Sequence, residues 1–161
     1  MSTWARVRRN HALEHATVAV MVQRRGRRVP LIGMSVPGGF VLAGAFTPEE
    51  VLEGAPEALR RLQNGEHYLA VSDDCGTTLL AGGILTTVAA IALTRGRVLA
   101  RFWMAVTAAM AINRFSPLIG RSLQRAVTTD ARVERCEIQG IWTGRLSRRV
   151  AIARVSVGDG D

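Results

Sequence analysis

The sequence contains no lysine: all 21 of its basic residues are arginine, against 13 acidic residues, and the formal net charge is +8. Cysteine is nearly absent, with two residues, and aromatic side chains make up 5% of the chain. Each scarcity excludes something. Two cysteines, Cys75 and Cys136, cannot build a disulfide framework, so reduced thiols are expected. So few aromatics leave no stacking platform for bases, and neither zinc-finger spacing nor another nucleic-acid motif accompanies the charge. The arginines are scattered singly and in pairs, and an anionic membrane surface suits them better than nucleic acid. No nucleic-acid partner is expected. At 161 residues the chain suffices for one domain with a real core.

Arginines precede an apolar stretch near the N-terminus, as in a signal peptide. Glu14 and His15 interrupt that stretch, Gln23-Arg24-Arg25 follows it, and no small-residue cleavage site appears. A cleaved signal is therefore not expected.

What is present reads as helices and short strands. From Asn10, placed as an N-cap, to Arg24 the pattern is helical and apolar nearly all round, so a buried helix is expected. The arginines from Arg24 to Arg28 end it in solvent or against lipid headgroups. Val29–Val36 and Phe40–Phe46 read as strands joined at Pro37-Gly38-Gly39. Thr47-Pro48-Glu49-Glu50 carries a capping box and opens a helix to Leu62. His67–Ser72 alternates like a third strand. Val133–Trp142 and Arg149–Val157 read as a strand pair turned at Thr143-Gly144, and residues 158–161 as a disordered tail.

Two segments have another character. Leu79–Leu93 carries no charge, and Val98–Ile112 is mostly apolar, with Arg95, Arg97 and Arg101 around the join. Each is near the lower limit of the ~17–25 residues a spanning helix needs. Their small residues suit close helix packing in a bilayer. A short amphipathic helix, Leu118–Val127, follows Pro117. The expected architecture is α+β: a small mixed sheet with packed helices, formed by residues 1–78 and 117–157, plus a two-helix transmembrane hairpin at 79–116. Arg60, Arg61, Arg114, Arg121 and Arg125 flank the hairpin on the domain side, which favours a cytoplasmic domain on a bacterial cell membrane.

His11-Ala12-Leu13-Glu14-His15 carries the chemistry. On a helix His11 and His15 lie one turn apart on one face, so both imidazoles can reach one metal ion. Glu14 stands beside them, able to take a proton from metal-bound water. H-x-x-E-H is the inverted zincin arrangement of inverzincin peptidases. A catalytic zinc needs a third protein ligand, for which His67 and Cys75 are the candidates, with Asp73 or Asp74 behind them. The downstream glutamate that inverzincins use has no counterpart here. The bland alternative is a buried His/Glu polar cluster. A Cys75 thiol nucleophile served by His67 is a weaker reading still. Cys136, in a strand, is read as a packed small hydrophobe.

Arg9-Asn10-His11-Ala12-Leu13-Glu14-His15-Ala16-Thr17, then Gly65-Glu66-His67 and Cys75-Gly76-Thr77 before an apolar helix, with Gln124–Thr129 later, resemble an uncharacterised bacterial family, domain of unknown function 6391. The similarity runs from Arg8 to Val157. It carries no activity, but implies a membrane-associated protein whose H-x-x-E-H helix, His67 and Cys75 are the places to look. The functional expectation is a membrane-anchored zinc protein hydrolysing a peptide or other amide, with Glu14 as general base. A non-enzymatic membrane scaffold or assembly factor is the alternative.

Overall fold

A computed structural model describes residues 2–28, 30–72, 75–94 and 102–160. The chain divides into two compact units, one of Met1–Val71 with Val127–Asp161 and one of Ser72–Ala126.

In the first unit, α1 spans Thr3–Arg25, and the Ser2 hydroxyl caps it by accepting from the Ala5 amide at 3.2 Å. Its N-terminus thus lies well before the expected cap at Asn10. That side chain points away from its own helix and donates to the carbonyls of Val36 and Pro37 at 2.7 and 3.2 Å. Gly26, with φ of 70°, ends the helix in the left-handed conformation.

Strands β1 (Leu31–Val36) and β2 (Gly39–Gly44) form a hairpin in which Val36 pairs with Gly39. Gly39 has φ of +140°, and a Cβ there would meet the Val155 carbonyl oxygen at 1.9 Å, so this position requires glycine. Helix α2, Pro48–Gln63, opens with the capping box read from the sequence: the Thr47 amide donates to Glu50 at 2.7 Å. Strands β3 (Cys136–Arg145) and β4 (Ala151–Asp159) complete a four-stranded sheet in the order β1-β2-β4-β3, with every pair antiparallel.

The sheet is therefore antiparallel, not mixed. The expected third strand at His67–Ser72 is instead a 3-10 turn over His67–Ala70, closed by Leu69 and Val71 amides donating to the carbonyls of Glu66 and Tyr68. Local polar contacts override the alternation: Glu66 accepts from both Arg61 and the Tyr68 hydroxyl, which folds the segment on itself. The tail is also corrected, since Gly158 and Asp159 belong to β4 and Asp159 pairs with Arg9 of α1; Asp161 lies outside the described residues.

Helices α1 and α2 cover one face of the sheet. Leu13, Val20 and Met21 of α1, Val51 and Leu62 of α2, and Phe40, Leu42 and Val155 of the sheet form the core. Each large side chain buried here contributes about 1.5–3 kcal/mol.

In the second unit, α3 (Gly76–Thr94) and α4 (Phe102–Leu123) pack together. The side chain of Gln124 pairs with both backbone groups of Ser72, at 2.9 and 2.7 Å, tying the two ends of the unit. The helix expected after Pro117 continues from α4 without an interruption at Pro117, but its direction differs. Phe102–Ile112 and Pro117–Thr128 are bent by 52° relative to each other, at a proline, which lacks the amide that an unbroken helix needs. Among the described residues no single helix is long and apolar enough to cross a membrane, whereas that bent pair passes the same test when taken together. The join with Arg95, Arg97 and Arg101 lies outside the described residues.

Candidate metal centre

The H-x-x-E-H segment lies in the middle of α1, and its polar members divide between directions. Nδ1 of His11 lies 3.0 Å from the carbonyl oxygen of Thr128. Nδ1 of His15 lies 2.9 Å from that of Ala70. A carbonyl oxygen only accepts, so each Nδ1 carries the proton, and in the neutral ring Nε2 keeps its lone pair. This is the orientation that a carbonyl gives a metal-binding histidine when it accepts from the ring nitrogen that does not face the metal. The ring centroids are 4.3 Å apart, and a nitrogen of one ring lies within 4.8 Å of a nitrogen of the other. Both carbonyls sit next to the points where the chain leaves and re-enters the first unit, at Val71 and Val127.

Glu14 faces the sheet. It is buried, accepts the Ser35 hydroxyl at 2.5 Å and lies against Gly33, where a Cβ would fall 1.9 Å from its Oε1. Arg8 donates to the Thr129 carbonyl at 3.0 Å, and Arg9 pairs with Asp159.

His67 is exposed at the start of the 3-10 turn, and no metal-capable group among the described residues includes it. Cys75 belongs to the second unit, one residue before α3. Asp73 and Asp74 lie outside the described residues. Cys136 is buried, and desolvation pushes its thiol pKa up, away from the thiolate that a ligand or nucleophile requires. Of the arginines expected in a solvated or lipid-facing loop, Arg24 and Arg25 are paired with Glu53 and Glu50 at 2.7 and 2.8 Å.

The partners that orient the imidazoles and Glu14 were not named from sequence. Two are backbone carbonyls, which carry no residue signature. Ser35 alternates in a strand like any surface serine.

An uncharacterised protein of Picosynechococcus sp. is 33% identical over 135 residues, covering 76% of this chain and 65% of its own length. The chain thus spans about two thirds of that curated relative. No solved structure matches. The model of the family described as domain of unknown function 6391 matches residues 6–141, and the chain belongs to that family.

Proposed function

We propose that the chain is a membrane-anchored metal-binding protein in which Nε2 of His11 and Nε2 of His15 hold a zinc ion and the Cys75 thiolate supplies a third ligand. The observation that carries the reading is the paired Nδ1–carbonyl contact, at 3.0 Å to Thr128 and 2.9 Å to Ala70. One such contact is common for a buried histidine. Two, on residues one turn apart, leave Nε2 of each ring as the atom that would take the metal. Cys75 follows Ala70 by five residues, a tether that reaches at most about 18 Å. Two imidazoles and a thiolate are a donor set that suits borderline-soft zinc.

Hydrolysis of a peptide or other amide is the catalytic extension of this reading: His11 and His15 would hold the ion, which would acidify a water molecule, and Glu14 would be the base. The Ser35 bond to Glu14 favours a second version, in which metal and polar cluster are structural, as in a scaffold or assembly factor.

Membrane anchoring rests on the second unit. Ile84, Val88 and Ile91 on α3, and Trp103, Met110 and Phe115 on α4, are exposed, an apolar surface too extensive for water. Between Cys75 and Thr129 the sequence has six arginines and no acidic residue, a composition matched to anionic headgroups. Arg114, Arg121 and Arg125 at the domain end favour a cytoplasmic first unit.

The test is metal content by inductively coupled plasma mass spectrometry on detergent-purified protein supplied with zinc. Near-stoichiometric zinc that is lost in His11→Ala and in His15→Ala, with the fold retained by circular dichroism, supports the site. Metal-free wild-type protein sinks it. If zinc is bound, Glu14→Gln with unchanged zinc but abolished amide hydrolysis selects the enzyme over the scaffold.

A further inference from the structure

A second polar site lies wholly within the first unit, at the N-terminal half of α1. A cleft of about 540 Å³ opens between that helix, the β1–β2 turn and the ends of β3 and β4. Its charged lining consists of Arg6, Arg9 and Arg154 against one carboxylate, Asp159, and Ser156 and Gly38 border it as well. Arg9 is 8% exposed. One terminal nitrogen of its guanidinium pairs with Asp159, whose other oxygen lies 3.8 Å from Arg6 Nε. Nε of Arg9, also buried, has no hydrogen-bond partner among the described residues.

A buried guanidinium is costly to desolvate, and a donor left unmatched on it adds to that cost. Three guanidiniums and one carboxylate in the lining leave the cleft two positive charges in excess, and its volume far exceeds what a single water-bridged ion pair requires. Guanidinium forks match the oxygens of a phosphoryl group, and an excess of two charges matches a dianion.

We propose that this cleft binds a phosphate monoester, with Arg6, Arg9 and Arg154 as donors and Asp159 holding Arg9 in place until the ligand arrives. The monoester belongs either to a phosphatidate headgroup or to a soluble phosphorylated small molecule. Because the cleft lies apart from His11 and His15 in its lining residues, the inference does not depend on the metal reading.

Isothermal titration calorimetry on the full chain in neutral detergent, with glycerol 3-phosphate, dihexanoyl phosphatidic acid and succinate as probes, tests it. Arg154 is exposed, so Arg154→Gln leaves the core intact. Loss of one charge-assisted contact is expected to weaken monoester binding about tenfold or more. Asp159→Asn removes the competing carboxylate and is expected to tighten binding while lowering thermal stability, a combination that a purely structural ion pair does not give. Comparable binding of both monoesters identifies a soluble ligand; binding of the lipid alone identifies a headgroup. Absence of monoester binding, equal affinity for succinate, or an affinity unmoved by Arg154→Gln and Arg6→Gln overturns the proposal.

Discussion

The Ser35 hydroxyl on β1 donates to the Glu14 carboxylate on α1 at 2.5 Å, beside Gly33, where a Cβ would stand 1.9 Å from Glu14 Oε1. The carboxylate of the H-x-x-E-H motif is thus fixed by the sheet, and β1 has a glycine where it passes. Gly33→Ala must displace Glu14 from this position. The expected result is a destabilisation of about 1–3 kcal/mol, the usual range for overfilling a packed site. Ser35→Ala is expected to cost a similar ~1.5–3 kcal/mol, as for a hydrogen bond to a charged group. Thermal and urea unfolding measure both. A Gly33→Ala variant with wild-type stability would show that the carboxylate is free to move.

The third ligand is decided by comparing two variants. His67 is exposed on the 3-10 turn and outside any metal-capable group among the described residues, so His67→Ala is expected to retain full zinc occupancy. Cys75→Ser is expected to lose most of it. Zinc content after dialysis against a weak chelator reads the difference. The opposite pattern would return the third position to His67.

Much of the first unit was legible because its signals are local. The Thr47 to Glu50 capping box is present as read, and Pro37-Gly38 does turn a hairpin. Signals of tertiary origin were not legible. Asn10 has the residue type of a cap, yet its amide serves Val36 and Pro37 across the fold, and Ser2 takes the capping role instead. His67–Ser72 alternates like a strand, but among the described residues it pairs with no strand, and the Arg61–Glu66–Tyr68 cluster folds it locally. The motif histidines were visible from their spacing; the carbonyls of Ala70 and Thr128 that orient them were not.

Acid sensitivity follows from the ion pairs of the first unit. Hydrogen bonding to Arg9 holds the Asp159 carboxyl below its ordinary range, Arg132 does the same for Asp130, and Arg61 with Tyr68 for Glu66. A carboxyl depressed in the folded state binds its proton more readily when unfolded. Its contribution is therefore complete above the unfolded value of about 4 and is lost as pH falls through the folded value. Stability should be flat in these groups from neutrality to about pH 5 and decline below about pH 4. Asp159→Asn should flatten part of that decline, as measured by urea midpoints from pH 7 to pH 2.5. An unchanged acid limb would mean that the Arg9 pair is not maintained in solution.

Ile84, Val88 and Ile91 repeat at helical spacing along α3 and are 55%, 58% and 69% exposed. Moving an aliphatic side chain from water into an apolar phase gains about 1.5 kcal/mol or more, or roughly tenfold in a partition equilibrium. Replacing all three with serine removes that gain from one face without adding charge, and surface positions of a helix tolerate such changes with small cost to folding. Wild-type protein is expected in the membrane fraction after alkaline carbonate washing, and the triple variant is expected to shift substantially into the supernatant. A similar fraction released in both would mean that α3 does not carry the anchoring. Wild-type protein that stays monodisperse without detergent would mean that another chain, not lipid, covers this face, and would remove the membrane from the proposed function while leaving the histidine site untouched.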